Sequence, residues 1–127
     1  MDAILVISAA VVNFFISSVW YGAFGNIWIK AWCLKKEEVE ARDPKPYLIS
    51  FIGSLWASYG LFLLIKHVKP QSLIELLALA IATWVFIIVG LGAKHYAFAQ
   101  VSIKAFIIGH TVDLVGVLVM CLMLSDL

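Results

Sequence analysis

Four apolar runs organise the chain, at residues 3–23, 47–65, 73–92 and 105–124. Each is close to the roughly 20 residues an α-helix needs to cross a bilayer. None alternates polar and apolar positions as a barrel strand in a membrane would. A helix also satisfies its own backbone N–H and C=O groups, which hydrocarbon cannot do for it. The pattern predicts an all-α fold: an integral membrane four-helix bundle forming a single membrane domain over 1–127. Only Met1 and Asp2 precede the first run, without a basic stretch, so it is expected to be retained as a span and not cleaved.

Charge follows the same division. Of nine Lys and Arg and eight Asp and Glu, only Glu75 and Asp113 fall inside the four runs. Glu75 opens the third run, where a helix N-terminus favours an acid; a structural role is expected for it. Lys30, Lys35, Lys36, Arg42 and Lys45 lie in the loop 24–46, and Lys94 and Lys104 in the loop 93–104, whereas Lys66 and Lys69 stand alone on the other side. Basic loops stay cytoplasmic. Both of these loops are therefore expected inside and both termini outside, in a cell inner membrane.

Composition narrows the function classes. The chain of 127 residues is 64% hydrophobic and 13% charged, against about 45–50% and 25% in soluble domains. One soluble core of this size could not hide so much apolar surface. A net charge of +1 without a basic tract excludes a nucleic-acid partner. Cys33 and Cys121 have neither CxxC spacing nor a His at metal-ligand spacing, so no metal and no disulfide framework is expected. No GxSxG, HExxH or P-loop spacing occurs, and no catalytic residue or cofactor is indicated.

The first loop carries a pattern of its own. Phe24, Ile27, Trp28, Ala31 and Trp32 recur at helical spacing, which predicts a short interfacial helix with its tryptophans at headgroup depth. Glu37, Glu38 and Glu40 then fit the start of a second short helix. Asp43-Pro44-Lys45-Pro46 breaks it ahead of the second span.

Candidate chemistry rests on polar residues inside the spans. Asp113, Asn13 and Thr83 sit near the middle of their runs, and Ser54 and Ser58 flank the middle of theirs. They predict a polar layer at one depth. Intramembrane acids face protein or water and are functional candidates. His110 lies one turn from Asp113, on the same side as Gly109 and Gly116, and the pair could share a proton or hold an ion. The alternative is polar glue, with Asp113 hydrogen-bonded to Asn13 or to the indole of Trp84 to fix helix register. The candidate binding set is thus Asp113, His110, Asn13, Ser54, Thr83 and Trp84. In the second span Ser50, Ser54 and Ser58, with Gly53, Ala57 and Gly60 beside them, form a small-residue stripe suited to close helix packing; a pore lining is the alternative.

The run Val19-Trp20-Tyr21-Gly22-Ala23-Phe24-Gly25-Asn26-Ile27-Trp28 through Trp32 resembles the bacterial family called domain of unknown function 1761. Glu37-Glu38 ahead of Pro44 or Pro46 and Tyr47, Trp84 in the third span, and Lys104-Ala105-Phe106 opening the last helix extend the resemblance over nearly the whole chain. Where that family tends to a small amide-containing run, this chain has Gly109-His110-Thr111-Val112-Asp113. The resemblance implies a small four-span membrane protein and no particular activity.

Three functions fit these observations. The first is a non-enzymatic protein whose partners are the lipid bilayer and further copies of itself, acting as a homo-oligomer or supporting a membrane complex. The second is a small transporter or channel using the Asp113/His110 site, which would need an oligomer because four helices are too thin to enclose a wide path. The third, a lipid-handling enzyme, is weakened by Arg42 being the only arginine.

Overall fold

The computed structural model describes residues 2–31 and 44–126, without the side chains of 25, 26 and 28–31. The described residues form α1 (Asp2–Ala31), α2 (Lys45–Val68), α3 (Leu73–Ala82), a π-helical stretch (Thr83–Val89), α4 (Gly90–Phe98) and α5 (Ile103–Leu124), with no strand among them. α3, the π-helical stretch and α4 follow one another without a break as a single rod. Among the described residues four helices, Asp2–Phe24, Lys45–Val68, Leu73–Phe98 and Ile103–Leu124, are long and apolar enough to cross a bilayer. The protein is an all-α, multi-pass membrane bundle.

Local chemistry sets the helix ends. Pro44 caps α2 and Pro46 sits in its first turn, where a missing N–H leaves no bond unmade. α2 stops at Lys69, whose backbone is left-handed (φ 54°) and whose N–H donates to the Ile65 carbonyl at 2.8 Å. Pro70 then prevents continuation. α3 opens on a reciprocal cap: the Ser72 Oγ accepts from the Glu75 N–H (3.2 Å), and Glu75 Oε2 accepts from the Gln71 N–H (2.6 Å). Glu75 is thereby occupied as a helix-start residue.

Two boundaries differ from the sequence pattern. Residues from Phe24 to Ala31 are helical, but as the last turns of α1 and not as a separate interfacial helix. Continuity spares the interface two further helix ends with orphan backbone groups. The side chain of Trp28, together with Trp32, Cys33 and the acids Glu37, Glu38 and Glu40, lies outside the described residues. The loop expected at 93–104 is also shorter, because α4 carries Lys94 and His95 on to Phe98. A lysine there can keep its charge in the polar zone while its stem lies along the helix.

α5 is the central helix. In its most apolar window 44% of residues are buried, against 11–17% in the other three spans. α1 and α2 pack on α5 and on each other, while the α3–α4 rod packs chiefly on α5. The outer side of that rod leaves Ile74, Phe86 and Phe98 81%, 78% and 86% exposed, surface suited to lipid. The apolar core lies at one end: Ala9, Leu61, Ile65, Leu76, Ala80, Val117, Met120, Cys121 and Leu124 pack where α1 begins and α2 and α5 finish. An exposed ion pair between Lys66 Nζ and Asp2 Oδ2, 3.9 Å apart, marks the same end.

Candidate functional site

Away from that core, α1, α2 and α5 line an open polar cavity of about 340 Å³. α1 contributes Asn13, Ser17, Ser18 and Tyr21, α2 contributes Ser50, Gly53, Ser54 and Ala57, and α5 contributes Asp113. Asn13, Ser17 and Tyr21 recur every four residues, as do Ser50 and Ser54, so each set lies along one side of its helix. The cavity runs from the middle of the helices toward the end where α1 finishes and α2 begins.

Its inner end is pinned by an amide. Asn13 Nδ2 donates to Ser54 Oγ at 2.9 Å, joining α1 to α2. The Asn13 Oδ1 lies over Gly116, in the space a β-carbon would need. Gly116 thus lets α1 approach α5 three residues beyond Asp113. Gly109, one turn before Asp113, does the same for two phenols: a β-carbon there would lie 2.6 Å from the Tyr96 hydroxyl and 3.7 Å from that of Tyr21. Asp113 is exposed on the cavity. It is the one formally charged group among the lining residues, none of which is basic.

His110 does not join Asp113 in this cavity. It is 6% exposed and turned to the α4 side of α5. Its Nδ1 pairs with the Phe106 carbonyl at 3.0 Å, so Nδ1 carries the proton. The ring lies over Phe106 (centroids 4.3 Å apart) and meets the edge of Tyr96 at 5.3 Å. Its Nε2 rests against Gly92, where a β-carbon would collide with the imidazole. The slot at Gly92 and the Phe106 carbonyl together fix the ring on the α4 side of α5.

Trp84 is also engaged elsewhere. Its indole N–H donates to the His110 carbonyl at 2.7 Å, tying the π-helical stretch to α5 and leaving no donor for Asp113. Thr83 Oγ1 bonds back to the Leu79 carbonyl at 2.9 Å within its own rod. Of the six candidate residues, the structure gathers Asn13, Ser54 and Asp113 and separates His110, Thr83 and Trp84 from them.

The serine stripe divides as well. Ser58 is fully buried and donates to the Val6 carbonyl at 2.7 Å. Ser54 is 5% exposed, and Ser50 and Gly53 open on the cavity. Sequence reasoning did not place Ser17, Ser18 and Tyr21 in the candidate set. The four-residue recurrence from Asn13 was the signal for Ser17 and Tyr21, and it faces the serine stripe of α2. Among the described residues no three His, Cys, Asp or Glu side chains gather as metal ligands.

The family model described as Protein of unknown function (DUF1761) matches residues 4–125, the family that the aromatic run, Trp84 and the Lys104-Ala105-Phe106 segment resemble. No curated protein and no solved structure matches the chain.

Proposed function

The chain belongs to the DUF1761 family, and we propose that it is a non-enzymatic membrane protein that admits a small polar solute into the Asp113 cavity and works as a homo-oligomer. The observation that carries this reading is a carboxylate near mid-helix opening on a hydroxyl-lined cavity. The donors of Asn13 and Trp84 are committed to Ser54 and to the His110 carbonyl, and the Tyr21 phenol shares the lining with the acid. The apolar core blocks the other end, so with its lateral wall covered the cavity is a half-channel entered from one side. With the loop 24–46 cytoplasmic, as the basic residues favour, that side is the cytoplasm of a cell whose inner membrane holds the protein.

A second copy fits the same picture. Ser18, Ser50, Gly53 and Ala57 are exposed beside the cavity, and a polar wall cannot face acyl chains without cost. Covering it with another chain would close the path that four helices alone leave open.

Thiol labelling tests the reading. In a Cys33→Ser background, Ser17→Cys should react with a water-soluble methanethiosulfonate added from the side of the loop 24–46 and not from the other side. Cys121, buried in the core, should stay unreactive in the folded protein. Failure of Ser17→Cys to label from either side would remove the half-channel.

A further inference from the structure

The cavity's walls carry information about what they suit. Asp113 is the one acidic side chain of the lining, and none of the other lining residues is basic. Two of the lining donors are used inside the protein: Ser18 Oγ donates to the Phe14 carbonyl at 2.9 Å, and Asn13 Nδ2 to Ser54 Oγ. The hydroxyls of the wall offer acceptor oxygens as well as donors. An anion placed there would meet a carboxylate in a region of low dielectric, where like charges repel strongly. A cation would meet its counter-charge and hydroxyl oxygens.

Size separates one class of cation from another. Hard metal ions are held at about 2.0–2.6 Å by six or more oxygens. A space of about 340 Å³ with a single carboxylate is far too wide to close round a bare ion in that way. It is wide enough for an alkylammonium group. Tyr21 adds a phenol to the lining that holds the acid. On α2, a β-carbon at Gly53 would meet nothing within 4 Å, so the glycine leaves space where a side chain could stand.

We propose that the ligand of this cavity is a small organic cation, an amine or quaternary ammonium, held at Asp113 between the hydroxyl walls of α1 and α2. The proposal rests on the solute-admitting reading above and adds the charge and class of the solute. Gly53 sets the space available to it, and Asp113 sets its sign.

The test uses the full chain in lipid nanodiscs, with tetramethylammonium as probe and tert-butanol as its neutral counterpart of similar size. Isothermal titration should show saturable binding of tetramethylammonium and none of tert-butanol. Asp113→Asn should weaken the binding at least about tenfold, a loss of about 1.4 kcal/mol, with the helical circular dichroism unchanged. Gly53→Leu should abolish binding with the helical circular dichroism unchanged, because its side chain stands beside the acid in the space the ligand would take. Equal binding of tert-butanol, or an Asp113→Asn variant that binds as the parent does, would overturn the cation. Absence of tetramethylammonium binding while Ser17→Cys still labels would also overturn it and leave the half-channel standing. Absence of both would remove the two together.

Discussion

Where α1 begins and α2 and α5 finish, Leu61, Ile65, Val117, Met120 and Cys121 fill the space between helices, with Leu76 and Ala80 of α3 closing over them. Toward the other end the same α1, α2 and α5 present Ser17, Tyr21, Ser50, Gly53 and Asp113 to an open cavity. The serine stripe of α2 crosses the boundary. Ser58 is sealed and bonded to a backbone carbonyl, Ser54 accepts from Asn13, and Ser50 is exposed. Residue type is constant along that stripe, so chemistry at the position does not decide whether a serine packs or lines a cavity. What decides is whether the facing helix offers an apolar surface and a carbonyl, as α1 does at Val6 and Ala9, or a polar side chain, as it does at Asn13 and Ser17.

Substitutions in the two halves should therefore behave differently. The largest effect is expected for Leu76→Ala, fully buried in the sealed half. The void left behind should cost about 2–5 kcal/mol, read from unfolding in mixed micelles. The lower part of that range is expected, since lipid is as apolar as the core and removes the water-transfer part of the loss. A cost near zero would mean that the sealed half is not tightly packed.

Ser54→Leu should come next, at about 1–3 kcal/mol. It forces a bulky group between α1 and α2 at a position 5% exposed and takes away the acceptor of Asn13. Unfolding temperature and oligomer size should both report it, and no change in either would dissolve the boundary between the halves. Ser58→Ala removes one interhelical hydrogen bond without adding volume. It should cost about 0.6–2 kcal/mol, leaving the Asn13–Ser54 bond and the cavity unaltered.

The smallest change is expected for Asp113→Leu. The carboxylate lines a cavity and is exposed on it, so its loss should move stability by no more than about 0.5 kcal/mol while ending ligand binding. A loss above about 2 kcal/mol would make Asp113 a packing residue and erase the contrast between the two ends.

Much of the architecture was legible before any coordinates. The four spans follow from apolar runs that only helices can carry through hydrocarbon. Glu75, three residues after Ser72, reads as a helix start, and the pair forms a cap. Mid-helix positions brought Asn13, Ser54 and Asp113 forward as neighbours in depth, and the structure places them side by side. Depth did not suffice for the others. His110 and Asp113, three residues apart, project about 60° from one another round the helix. At the sequence level that is one face, yet on the central helix it spans two neighbours: α1 and α2 on one side, the α4 end of the rod on the other.

The sequence by itself determined the apolar surroundings that this protein suits, its four apolar helices and the place of each polar residue along its helix. Each depends only on hydrophobicity and spacing along one helix. The rotation of each helix about its axis was decided by tertiary structure alone. The space over Gly116 for Asn13, the slot at Gly92 for His110 and the His110 carbonyl for Trp84 all lie on other helices. Close packing selects among rotations that hydropathy leaves equal, because a missing β-carbon or a free carbonyl on one helix acts only on the helix pressed against it. The Asp113 cavity is the volume left after those contacts are made, and no single span specifies it.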